Sequence, residues 1–399
     1  MTLVCFGTIA IVIVAGIWGR WWQTPVKEQL RRQCRDALHA HRWKVLQQYS
    51  TRWTTLDPQS GEAWMFLARA LQKQGRFARA VDCLESVPDA AAEKGAAQLA
   101  EIELQFDMQN RPEDGAKTCQ QVLKRDPHAV NVRRRLMFFL AMTLQRVRLI
   151  REIRRAMEAH AAPPEAYVYL FFADSESLHF SNGVAVNSRW LSGNPHSELF
   201  EVAEAVFIAQ TLDASISMDD RKAAEATRHA QSRKGPVMAK LLRRYPHNLE
   251  LLAYHLRESA LAGDMNRVVA LLAQAPVEAE GDNRFWRFKG WVHAHRNEFL
   301  KAEKAYRHAL KLHPLDWSTR HLLAELLQRQ QRYQEVEQLR KLVNRANVLR
   351  RELDAAPNAR QVPRKTLVKL AAYAADCGDT QTAAALQWRL REHFGISSK

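Results

Sequence analysis

The sequence predicts an all-α fold, a helix-turn-helix repeat solenoid preceded by a single transmembrane helix. Three observations carry that expectation. Leu3 to Gly19 form a run without a charge, two distant segments share one spacing of aromatic and small residues, and Pro58, Pro127, Pro246 and Pro314 recur where successive helices must stop. Proline ends helices because it lacks the amide hydrogen and drives the residue before it out of the helical region. The 399 residues are 47% hydrophobic and 26% charged, with only 15 Gly and 14 Pro, which excludes a collagen-like, low-complexity or disordered chain. Such a length holds two or three domains or one elongated array.

In chain order the uncharged run comes first. As a helix its 17 residues reach ~25 Å, and interfacial Trp18, Trp21 and Trp22 extend it toward the ~30 Å of a hydrocarbon core. No Lys or Arg precedes it, and bulky Trp18 stands where a signal peptidase needs small residues, so residues 1–25 read as an uncleaved anchor. Arg20, Lys27, Arg31, Arg32 and Arg35 all lie on its C-terminal flank. By the positive-inside rule the body faces the cytoplasm, which makes this a single-pass protein of the inner (cytoplasmic) membrane. The five cysteines, Cys5, Cys34, Cys83, Cys119 and Cys377, form no CxxC pair and suit reduced thiols packed as small hydrophobes.

The body follows as a repeat. Trp64, Ala68, Phe77, Ala80 and Leu84 align with Trp286, Gly290, Phe299, Ala302 and Tyr306 at offsets of 0, 4, 13, 16 and 20. Small residues mark where two antiparallel helices approach closely, and aromatics fill the space between neighbouring hairpins. Weaker copies keep the register. Residues 27–58 retain Trp43 and Pro58. The segment after Gly263 puts Val268, Leu272 and Ala275 on one face, the segment after Asp316 has Ala324, Tyr333 and Val336, and the last has Ala371, Gly378, Ala383 and Leu390. The organisation expected is an anchor (1–25), an N-terminal array (26–160), an irregular helical insertion (161–235) and a C-terminal array (236–399). Within the insertion, 179–195 reads as a polar loop carrying His179, Asn182, Asn187, Arg189 and Asn194, with His196 just beyond it.

These spacings resemble the tetratricopeptide repeat, a 34-residue helical hairpin with a Trp, small, aromatic, Ala, aromatic, Ala, Pro pattern. The resemblance implies a concave groove built from first helices, with partner-facing positions at Arg257, Arg284, Arg287, Trp291, His295, His321, Glu325 and Arg329. Repeats that grip acidic chaperone tails use a Lys/Asn clamp. Arg287 and Trp291 occupy those two positions here, and Glu325 opposes a carboxylate. The overall layout is similar to a membrane-anchored bacterial repeat protein of lipopolysaccharide assembly. That family ends in paired CxxC motifs, whereas this chain ends with Cys377 alone.

No nucleotide-binding, metalloprotease, serine-hydrolase or EF-hand motif occurs, so no catalytic set, cofactor site or metal site is assigned. His39/His41 and His293/His295 are i, i+2 pairs, pointing to opposite sides of a helix. Charge is the remaining signal. Of the +16 formal charge, residues 124–155 hold ten Lys or Arg against two acids, and residues 329–369 hold eleven against four. Arg148, Arg151 and Arg155 share one helical face. The reading is a membrane-tethered scaffold that binds protein partners in its groove, with anionic lipid a further partner. The alternatives are a helical-repeat nucleic-acid-binding protein, with Phe138, Phe139 and Tyr333 among the arginines, and an enzyme built in the irregular middle. Nucleic acid is disfavoured by the anchor and by the lack of a per-repeat recognition pattern.

Overall fold

A computed structural model describes residues 24–173, 182–215 and 235–394, and every regular element among them is helical. The first hairpins are α1 (24–39) with α2 (Trp43–Leu56), α3 (Gly61–Lys73) with α4 (Phe77–Glu85), and α5 (Lys94–Glu103) with α6 (Pro112–Arg125). Next come α7 (Val130–Met142), α8 (Arg146–Glu158), α9 (Pro164–Phe172), α10 (Gly183–Gly193), α11 (Glu198–Ser215) and α12 (235–244). The chain continues through α13 (Leu249–Leu261), α14 (Met265–Ala273), α15 (Asn283–His295), α16 (Phe299–Leu312), α17 (Trp317–Arg329), α18 (Tyr333–Asp354), α19 (Arg364–Asp376) and α20 (Thr380–Phe394). Two compact units divide between Val122 and Leu123, inside α6.

One turn recurs in both units. In eight hairpins the residue two places before the second helix has positive φ: His41, Gly75, Asn110, Leu144, Gly263, Asn297, Gln331 and Gly378. In seven of these hairpins the next amide bonds five residues back, as Arg76 N–H to Leu71 O (2.9 Å) and Glu298 N–H to His293 O (2.9 Å). This is the Schellman closure of a helix, and it needs a left-handed residue at the turn. Glycine fills that position without strain at 75, 263 and 378, whereas the others accept the cost in exchange for the same hairpin geometry.

The two strong copies share a second device. Trp64 Nε1 donates to Pro58 O (2.9 Å) and Trp286 Nε1 to Glu280 O (3.0 Å), each six residues back, so the indole ties its helix to the preceding turn. Within each hairpin the small residues are buried: Ala68 and Ala80 in the N-terminal unit, Gly290 and Ala302 in the other. A Cβ on Gly290 would sit 2.5 Å from the Tyr306 ring. In the N-terminal unit Leu30, Cys34, Leu46 and Trp53 form one core, while Leu67, Leu71, Val81 and Leu84 form the next. Burial pushes the Cys34 thiol up to about 12, so it stays protonated.

In the C-terminal unit the chain returns on itself. Repeats ordinarily touch only their neighbours. Here Arg154 of α8 forms a two-pronged pair with Asp379, 2.6 Å at each prong, at the start of α20, and also donates to Thr382 Oγ1 (2.6 Å). Gln381 donates to Arg154 O (3.1 Å), and His160 stacks on Trp388 at 4.7 Å. At its other end α8 sends Arg146 to Glu250 of α13 (2.9 Å) and to Ala173 O (2.7 Å). Thus α8 bridges the first and last repeats of the C-terminal series.

Several expectations change. The anchor falls outside the described residues, and no described helix is long and apolar enough to cross a membrane. The polar stretch 179–195 contains α10 rather than being a loop throughout. Trp190 is buried against Phe138, Phe139 and Phe200, and the Asn187 amide donates to Met142 O (2.8 Å) and Gly183 O. His179 lies outside the described residues. On α14 the core position is Leu271 rather than Leu272. Within the basic block 124–155, Arg133 pairs with Glu152 inside the core and Arg146 is buried, while Arg148, Arg151 and Arg155 are exposed.

The Gly290 contact yields a prediction. Gly290→Ala must displace the buried Tyr306 ring, and Ala302→Leu overpacks the same seam by about 1–3 kcal/mol. Thermal unfolding should show both below wild type, with the exposed control Ala270→Leu unchanged.

Candidate functional site

The site begins with helix capping. Asn248 accepts from the Glu250 and Leu251 amides at the start of α13, and Asp282 accepts from the Arg284 amide (3.0 Å) at the start of α15. Helix N-termini favour such acceptors and the carboxylate of Glu250 in the first turn. Because α13 and α15 are adjacent first helices, the two carboxylates approach each other and need cations between them.

Arg284 fills that gap. Its Nη2 lies 2.6 Å from Asp282 Oδ2 and 2.5 Å from Glu250 Oε1, and its Nη1 is 3.0 Å from Glu250 Oε2. Arg146 completes the set through Glu250 Oε2. Burial alone would raise the Glu250 and Asp282 pKa values. The facing guanidiniums (Arg146 and Arg284 at Glu250, chiefly Arg284 at Asp282) more than offset it and hold both carboxyls below their usual range. The four formal charges cancel, leaving a neutral ionic floor that is largely buried.

A narrow cleft opens on this floor, lined by Val206 and Gln210 of α11, Tyr254 and Arg257 of α13, and Arg287 and Phe288 of α15. The spacing 284, 287, 288 places these residues on one face of α15. Arg257, Arg284 and Arg287 therefore converge, although Arg284 is buried beneath the surface while Arg257 is half-buried. Further along, Trp291 and His295 stack on each other at 3.8 Å, His321 and Glu325 pair at 3.3 Å on an exposed face, and Arg329 donates to Asn297 Oδ1 (2.7 Å). Arg148, Arg151 and Arg155 are exposed along α8.

Sequence reasoning missed Arg146, Glu250, Tyr254 and Phe288. Glu250 had a local signal, two residues after the Asn248 cap, but its partner Arg146 is 104 positions away. No group of three His, Cys, Asp or Glu that could hold a metal occurs among the described residues. The aromatics weighed for base stacking are mostly spent on packing: Phe139 is buried and Phe138 meets Trp190 edge-on, leaving Tyr333 exposed.

The recurrent Schellman hairpins define a helical-hairpin repeat protein. Its N-terminal unit carries the tetratricopeptide repeat itself, for residues 46–102 match that family's model. No curated protein matches the chain as a sequence relative. Among solved structures, a tetratricopeptide repeat protein from Parabacteroides merdae is 12% identical, with 75% of this chain and 98% of that one covered and a TM-score of 0.27. Yeast Tom70 is 13% identical over 92% of this chain and 90% of its own, TM-score 0.26. The human IFIT1 dimer with PPP-AAAA is 12% identical over 92% and 88%, TM-score 0.33. No role is carried over from any of these.

Two predictions follow from the ionic floor and its neighbourhood. Glu250→Ala leaves one buried positive charge uncompensated, with Arg284 held by Asp282 alone and Arg146 by Ala173 O, and should destabilise the C-terminal unit by about 3–5 kcal/mol in denaturant unfolding. His313 is buried with neither ring nitrogen bonded among the described residues. Burial, with help from Arg154 and Arg320, lowers its pKa to about 4. The unfolded chain then takes up a proton below pH 6.5 while the folded one does not until about 4, so stability should fall across that window. Below about 4.5 the Glu250 and Asp282 contribution is lost as well, as the pH drops through their lowered values. In a series of unfolding curves, His313→Leu should flatten the upper window and leave the lower one.

Proposed function

We propose that the protein is a membrane-tethered scaffold that holds a protein partner in the arginine-rich cleft of its C-terminal unit. The carrying observation is the cleft itself. It lies against first helices α13 and α15 and brings Arg257 and Arg287 beside Tyr254 and Phe288, with Glu258 3.8 Å from Arg257 and the buried Asp316 3.8 Å from Arg287. Such a surface suits a segment that offers a carboxylate together with an apolar or aromatic side chain. A binding role, rather than catalysis, is in keeping with a repeat array that carries no catalytic motif in its sequence. What supports the tether is the uncharged run Leu3–Gly19, and its basic flank favours a body on the cytoplasmic side.

A photo-crosslinking residue at Tyr254 in the full chain should capture one predominant partner in cells. Arg257→Glu, and its combination with Arg287→Glu, should reduce that product at least about tenfold, the loss of one charge-assisted contact or more. An unchanged yield in both variants would remove the cleft from the reading. Separately, deleting residues 1–22 should release the body from carbonate-washed membranes, and a truncated form that still sediments with membranes would remove the tether.

A further inference from the structure

A second surface lies away from the cleft. Along α16, Lys301, Lys304, His308 and Lys311 recur at i, i+3, i+7 and i+10, which makes one face of the helix, and the three lysines are exposed. With α15 this face borders an open hollow whose lining includes five Lys or Arg and no carboxylate. Nearby acids are engaged at the rim: Glu280 with Lys289 (2.7 Å), Glu298 with Lys301 (3.3 Å) and His293, Glu303 with Arg307 (2.7 Å). Lys304 and Lys311 have no ion-pair partner among the described residues.

We propose that this face of α15 and α16 docks on an anionic phospholipid bilayer. Three features favour that occupant. The one large aromatic, Trp286, stacks on His308 at 4.0 Å, lies 4.1 Å beneath Lys289 and donates its N–H to Glu280 O, so it is not available to stack on a nucleic-acid base. The charges left over are lysine ammoniums on flexible stems. These act as point charges suited to a diffuse field of headgroup phosphates, whereas the forked Arg307 is engaged by Glu303 and Glu335. The hollow is open, and its lining residues offer positive charge without a carboxylate. This surface shares no residue with the cleft, and it does not depend on the tether.

The test uses the full chain in neutral detergent, mixed with phosphatidylcholine vesicles with and without about 30% phosphatidylglycerol. Any tether contributes to both vesicle types alike, so the gain on adding anionic lipid reports the lysine face. For wild type the gain should be severalfold at about 0.05 M salt and should shrink toward nothing by about 0.5 M. Lys301→Gln/Lys304→Gln/Lys311→Gln should abolish most of it while thermal unfolding stays at the wild-type temperature. Binding to neutral vesicles should be the same in wild type and variant, and its absence in both would count against the tether alone. The proposal is overturned if the gain is missing in wild type, if it survives the triple exchange, or if it is lost instead on Arg148→Gln/Arg151→Gln/Arg155→Gln. Lysine-dependent binding of single-stranded RNA or a poly-glutamate peptide without any vesicle gain would likewise overturn it and reassign the face.

Discussion

Two guanidiniums and two carboxylates sealed between α8, α13 and α15 set the geometry of the C-terminal unit. Taking four charges out of water is expensive, and the set is tolerable only because every carboxylate oxygen faces a guanidinium. That requirement makes the network directional where an apolar contact would be permissive. Leucines could slide, but a fork aimed at two oxygens fixes how far α8 lies along the start of α13. Arg154 on Asp379, two turns further along α8, fixes the other end. The cleft depends on both, since its floor is the ionic set and its walls are the helices the set aligns.

What the sequence discloses follows from the range of the interactions. Hairpin register was legible because it is local: Trp64 to Pro58, Gly75 two places before α4 and Ala68 facing Ala80 all lie within one repeat. Of the positions the repeat pattern singles out, Arg257, Arg284 and Arg287 come to line one cleft, because α13 and α15 are adjacent helices in register. Nothing local marks Arg133, Arg146 and Arg154 as internal, since a basic run looks the same whether its partners are water or distant acids. Glu250 and Asp379 stand 104 and 225 residues from the arginines they meet. The α10 segment failed for the opposite reason. Its Ser, Asn and Gly content favours turns locally, and only the burial of Trp190 among three phenylalanines outweighs that preference.

The division of labour between arginine and lysine explains where the +16 charge resides. Arg133, Arg146, Arg284 and Arg320 are each 4% or 5% exposed, whereas no lysine is buried among the described residues. A guanidinium is weakly hydrated and offers five donors in a plane, so several acceptors can satisfy it away from water. An ammonium is strongly hydrated and loses more on burial. Arginine therefore serves as the internal fastener where a carboxylate at a helix start faces another element, as at Asp282, Glu250 and Asp379. Lysine is left outside, where it shapes the field that a partner meets. The net charge thus overstates the external field in the α8 region and understates it on α16, whose stripe lies outside both basic blocks of the sequence.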